Sequence, residues 1–167
     1  MSEEGEPSIV FGRIEVNEIG PNPRQFPARV RFVDVVHVPT QDWTRIKINP
    51  TSQTFAVSLS PGRYEMTRLQ VTEGPFTAQS YLSGTFNIAA NDVTYLGTWQ
   101  LNVDTPRTQR MITFDVSDGS LNWDEVFENY PAMKGKSVVN AFPKLVENQA
   151  RLYAVAPNPK LKYFYRQ

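Results

Sequence analysis

The sequence predicts a mainly β protein, an antiparallel β-sandwich carrying one short helix. Three observations point there. Apolar and polar residues alternate in segments that return about every ten residues, which is the spacing of successive strands and not of strand-helix units. Turn-forming pairs such as Pro61-Gly62 and Asn91-Asp92 separate those segments. Only residues 122–130 carry helical spacing.

Ile9, Phe11 and Arg13 alternate with Val10, Gly12 and Ile14, so a first strand covers roughly Ser8 to Val16 with both faces partly apolar. Residues 18–27 contain Gly20, Pro21, Pro23 and Pro27 and read as a loop. A second strand follows over 29–38, with Val30 and Phe32 inward at first and Val36 and Val38 later in phase. Residues 44–48 put Ile46 and Ile48 on one face until Asn49-Pro50 removes a donor and ends the strand. Phe55, Val57 and Leu59 then share a face. Pro61 fixes φ, Gly62 tolerates positive φ, and Tyr64 and Met66 lead a return strand, which predicts a hairpin with a type II turn.

Past Met66 the apolar phase moves from even to odd positions, at Leu69 and Val71, and this predicts a β-bulge near Thr67 or Arg68. Leu82, Gly84, Phe86 and Ile88 form the next inward set. Val93, Tyr95, Gly97, Trp99, Leu101 and Val103 make the longest alternation, so that strand is expected at the centre of a sheet. Gly97 within it leaves room for Trp99 or for an aromatic of the facing sheet. Ile112, Phe114 and Val116 follow beyond a turn at 104–108.

The helix signals agree with one another. Asn122 can cap with Glu125 three residues on, Leu121 can staple onto Val126, and Trp123, Val126, Phe127 and Tyr130 form one stripe before Pro131. So short a helix is marginal alone and must pack on a sheet or on an end of the sandwich. From Lys134 the chain is less regular, with short edge strands expected at Val138-Val139 and 152–155 and an extended PNPKLKYFYRQ end. The expected organisation is a flexible polar leader over 1–7 and a single domain over 8–167, including a C-terminal extension from about 134.

The strand run ending in Pro61, Gly62 and Tyr64, with Phe86 and then Tyr95-Leu96-Gly97, resembles the prealbumin-like or carboxypeptidase-regulatory-like sandwich domains, as found in uncharacterised bacterial lipoproteins. The resemblance covers about residues 53–103 and concerns a fold. It implies an envelope location, periplasmic or at the cell surface, with a lipid anchor in the precursor. The helix from Asn122 and the long tail depart from it, and there is no lipid-acceptor cysteine. The polar, acidic start MSEEGEP is consistent with a tether behind such an anchor and equally with a cytoplasmic start.

Composition narrows the chemistry. The 167 residues hold 17 Lys and Arg against 17 Asp and Glu, so no overall field draws the chain to nucleic acid. The absence of cysteine removes disulfides, thiolate zinc sites and cysteine nucleophiles. No apolar run is long enough to span a bilayer. Nucleophile-elbow, Walker, dinucleotide and zinc-protease patterns do not occur, and no cofactor is expected. His37 is the only histidine, and strand alternation sets it on the opposite face from Asp34. Asp115, Asp118, Asp124, Glu125 and Glu128 are dense, yet they lack the ligand spacing of a calcium loop and suit turns and a helix start better.

Trp99, Tyr95, Tyr64 and Phe86 are expected in the core. Trp43 and Tyr81, in predicted loop positions, and Tyr163, Phe164 and Tyr165 in the tail are the exposed aromatics that could form a binding site. The tail, with Lys160 and Lys162 alternating with Leu161 and Tyr163, is expected to add as a strand to its own sheet. The functional expectation is a non-catalytic structural or protein-binding module of a bacterial cell envelope, engaging a protein partner or assembly. A carbohydrate or small-ligand binding sandwich is the alternative, and an uncharacterised hydrolase built around His37 is the second.

Overall fold

The computed structural model describes residues 6–19, 27–90, 93–104 and 111–155. Eight principal strands form the sandwich: β1 (Ser8–Ile19), β2 (Ala28–His37), β3 (Asp42–Lys47), β4 (Thr54–Leu59), β5 (Gly62–Glu73), β6 (Phe76–Ile88), β7 (Val93–Asp104) and β8 (Met111–Ser117). The first sheet runs β8-β7-β1-β4 and the second β6-β5-β2-β3. The segment beyond β8 adds helix α1 (Trp123–Asn129), a 3₁₀ turn (Pro131–Met133) and four short strands. Of these, β9 (Val138–Asn140) and β11 (Gln149–Arg151) extend the first sheet, while β10 (Lys144–Leu145) and β12 (Tyr153–Ala154) extend the second.

The mainly β sandwich with one short helix is as the sequence predicts. Most strand pairs are antiparallel, but β1 pairs with β7, and β7 with β9, in parallel. A tight turn forces its two strands antiparallel, whereas β1 and β7 are joined through five intervening strands and are free of that constraint.

The turn at Pro61-Gly62 does not close a hairpin. β4 pairs with β1 in the first sheet and β5 with β2 and β6 in the second, so Pro61-Gly62 is a corner between sheets. Gly62 has φ of 141°, well outside the type II value. Tyr64 Oη donates to the Ser60 carbonyl at 2.7 Å and ties the start of β5 back across the corner, a device of sandwich folds. Alternation alone cannot tell the two cases apart. Successive strands turn an apolar face to the same core whether they lie edge to edge or in opposite sheets.

The predicted bulge is present at Thr67. Asp34 and Val35 of β2 face Arg68 and Met66, so Thr67 is the extra residue on β5. Its hydroxyl donates to the Asp34 carbonyl at 3.0 Å. Opposite β6 the pairing slips again between Met66 and Arg68.

β7 is central, but its alternation does not serve one face. Its register with β1 slips between Tyr95 and Thr98, where Gly97 sits at φ 94°. Val93 and Tyr95 therefore lie on the outer face of the first sheet, and Leu96, Trp99, Leu101 and Val103 on the inner one. The helix covers that outer face, with the Trp123 ring 5.2 Å from Tyr95 and the Tyr130 ring 5.4 Å from Phe11. Asn122 caps it by accepting from the Asp124 and Glu125 amides at 3.1 and 3.4 Å.

The space above Gly97 is taken by Val116 and Phe142, and not by Trp99 or a ring of the facing sheet. A Cβ at Gly97 would lie 2.9 Å from Val116 Cγ1, 3.0 Å from the Ser117 carbonyl oxygen and 3.1 Å from Phe142. Positive φ and crowding act together, so Gly97→Ala is expected to cost about 2 kcal/mol in urea unfolding. A shift under ~0.5 kcal/mol would show that the bulge relaxes freely.

Candidate functional site

The helix layer covers the outer face of the first sheet around Phe11, Val93 and Tyr95, whereas no helix among the described residues lies on the outer face of the second sheet. Alternation on β2 sends Val33 and Val35 into the core and Asp34 outward, and Phe32 lies outward as well instead of inward with Val30 as expected, because the pairing with β5 slips between Val30 and Phe32. On β3 it presents Trp43, Arg45 and Lys47. The Thr67 bulge then decides the site. By changing the phase of β5 it turns Arg68 and Gln70 to the outer face while Leu69 and Val71 point inward. The register sets Arg45 and Arg68 on either side of Asp34, with Tyr81 of β6 beyond Arg68 and Trp43 beside Val36.

Asp34 is only 4% exposed and lies beneath the two guanidinium groups. Arg45 donates from Nε to Oδ1 at 2.9 Å and from Nη2 to Oδ2 at 3.2 Å. Arg68 donates from Nε and Nη2 to Oδ2 at 3.1 and 2.8 Å. Burial pushes the carboxyl pKa upward, but the hydrogen bonds and charges of Arg45 and Arg68 outweigh it and hold the pKa below its ordinary 3.8. Phe32 completes the cluster, with the Arg45 guanidinium 3.8 Å above its ring.

At one end of this row Trp43 and Tyr81 stand 63% and 62% exposed and border a hollow of about 370 Å³ that also touches Asp34 and Arg68. The Tyr153 ring lies 6.1 Å from Tyr81. At the other end a groove of about 740 Å³ runs past Arg29, Arg31 and Lys47 to the same arginine pair.

Trp43 and Tyr81 thus lie together on one face, although on strands β3 and β6 and not in the predicted loops. Tyr163, Phe164, Tyr165 and the expected docking of the tail lie outside the described residues. Sequence reasoning missed the Asp34, Arg45 and Arg68 cluster. The available signal was an acid set between core valines, in a strand whose neighbours each supply an arginine.

His37 is placed on the other side of β2 from Asp34, as alternation requires. Its ring packs 5.0 Å from Tyr64, Nδ1 lies 2.8 Å from Thr40 Oγ1, and Nε2 donates to the Pro61 carbonyl at 3.0 Å. The imidazole joins the β2–β3 turn to the inter-sheet corner. In the acidic run, the Asp118 carbonyl accepts from Tyr95 Oη, and Asp124 and Glu125 occupy the first turn of α1. No three His, Cys, Asp or Glu side chains converge as a metal site among the described residues. No helix among them is long and apolar enough to cross a membrane.

Comparison of the chain with protein-family models, curated proteins and solved structures returned no match.

Proposed function

We propose that the chain is a non-catalytic binding module of a bacterial cell envelope, working through the outer face of its second sheet, and that carbohydrate is the class of ligand taken there. The carrying observation is that Trp43 and Tyr81, both largely exposed, border one hollow with a hydrogen-bonded polar cluster at its floor. A sugar ring stacks its apolar face on an aromatic plane and needs fixed polar groups beside it. The Asp34 clamp holds the guanidiniums of Arg45 and Arg68 in place before any ligand arrives, which lowers the ordering cost of binding. Non-catalysis is supported by His37, whose two ring nitrogens both engage structural partners. The envelope location rests on the resemblance of the segment over 53–103 to the prealbumin-like domains of bacterial lipoproteins.

A protein partner is the second reading. Trp, Tyr and Arg dominate protein-binding hot spots, and this face presents all three. Calorimetric titration with neutral and acidic oligosaccharides tests the first. Trp43→Ala and Tyr81→Ala should each weaken binding by roughly tenfold, about the worth of one stacked ring. If no sugar binds the folded protein, the carbohydrate reading is wrong.

A further inference from the structure

We infer that the ligand of this face is an anionic polysaccharide, its sugars bearing carboxylate or sulfate groups that lie along the groove of Arg29, Arg31 and Lys47 toward the Arg45 and Arg68 pair. The inference rests on the carbohydrate reading above and narrows it.

The groove is lined by five cationic side chains, Arg29, Arg31, Arg45, Lys47 and Arg68, and by no carboxylate. The one acid lining the adjoining hollow, Asp34, lies at its floor beneath two of the arginines. Five cations against one carboxylate leave an excess of four positive charges along the lining of the groove and hollow, in a chain whose net charge is zero. Such concentration in a neutral chain favours a ligand of opposite sign.

The cations are also available. Arg29 donates from Nη1 to the Pro50 carbonyl and Arg31 from Nη1 to Gln70 Oε1 at 3.3 Å, both neutral acceptors. Lys47 has no ion pair among the described residues. Arg45 and Arg68 each direct two of five N–H donors at Asp34, so three remain on each for a ligand oxygen. A guanidinium already oriented by a buried carboxylate presents its free edge as a fixed fork, the geometry that carboxylate and sulfate accept.

The ring placement separates a glycan from a nucleic acid. Single strands need ring faces spaced along the phosphate track, one for each successive base. Here the one ring inside the groove, Phe32, is buried beneath the Arg45 guanidinium and offers no free face. The open rings are Trp43 and Tyr81, which border the hollow at one end, and Tyr153 beside Tyr81; none of them lines the groove, which suits a sugar platform at the head of a charged chain.

The test is affinity electrophoresis of the full chain through gels containing polygalacturonate, dextran sulfate, neutral dextran or polyuridylate. Retardation by the first two and not by neutral dextran is expected, and whichever of the two retards more identifies carboxylate or sulfate as the preferred group. Arg31→Ser with Lys47→Ser should weaken that retardation by roughly tenfold, the worth of two exposed charges. Lys134→Ser with Lys136→Ser, which removes equal charge elsewhere, should leave it unchanged. Equal retardation by neutral dextran, lost in Trp43→Ala, would overturn the anionic inference while keeping the carbohydrate reading. No retardation by any glycan would overturn both. Stronger retardation by polyuridylate, or equal loss in the two lysine-containing variants, would also overturn the inference.

Discussion

Trp99→Ala is expected to destabilise the protein by about 3–5 kcal/mol, the largest single-residue effect in the sandwich. The side chain is fully buried between the sheets, with its ring 5.2 Å from Phe55 and 5.5 Å from Phe114. The cost depends on whether neighbours can fill the void, and here they are held. Phe55 sits over Gly12, where even a Cβ would come within 2.2 Å of its Cζ, so that ring is seated by the strand beneath it. Phe114 is fixed by the pairing of Leu101 with Phe114 across β7 and β8. Trp99 Nε1 also donates to the Leu96 carbonyl at 3.0 Å, beside the Gly97 bulge, and alanine leaves that buried acceptor without its donor. Urea unfolding should show a lower midpoint at unchanged slope, and the thermal midpoint should fall by roughly 10 °C. Trp99→Phe, which keeps most of the volume, should cost less than half as much. A loss under ~1 kcal/mol for the alanine variant would mean that the core does not centre on this residue.

Much of this arrangement was legible along the chain because its causes are local. The slip of apolar phase after Met66 announces the Thr67 bulge, since a one-residue insertion exchanges the faces of everything beyond it. Asn122 and Pro131 delimit the helix because capping and ring closure act on adjacent residues. The Gly97 slip was hidden for the opposite reason. Before Gly97 both faces of β7 are buried, one by the second sheet and one by α1, so apolar residues on the outer face run into apolar residues on the inner one without a break. The corner at Pro61-Gly62 was hidden because inward alternation does not say which sheet a strand joins. Of the candidate site, the aromatics were legible by residue type. The charge cluster beneath them was not, because Asp34, Arg45 and Arg68 belong to three strands and meet only through register.

That cluster carries the second large prediction. Arg45→Met combined with Arg68→Met is expected to destabilise the protein by about 3 kcal/mol at neutral pH and to reverse the direction of its acid response. Methionine keeps length and cover, so Asp34 stays buried but loses both cations. Arg45 and Arg68 are about one-third exposed, which sets the expected loss at the low end for a broken buried pair. The sign follows from the carboxyl group. In the native protein its pKa is held below 3.8, so the folded state binds this proton less readily than the unfolded chain. That contribution is complete above the ordinary carboxylate range and is lost as pH falls through the lowered value. With both guanidiniums gone, only burial acts, the pKa rises above its unfolded value, and the folded state becomes the better proton binder. The double variant should then recover stability, relative to the native protein, as the pH is lowered from 7 toward 4. Adding Asp34→Leu should restore most of the loss at neutral pH, because an apolar trio can replace a buried ionic one of similar volume. Urea midpoints for the native, double and triple variants between pH 4 and 7 decide it. Parallel profiles for native and double variants would show that Asp34 does not depend on its arginines.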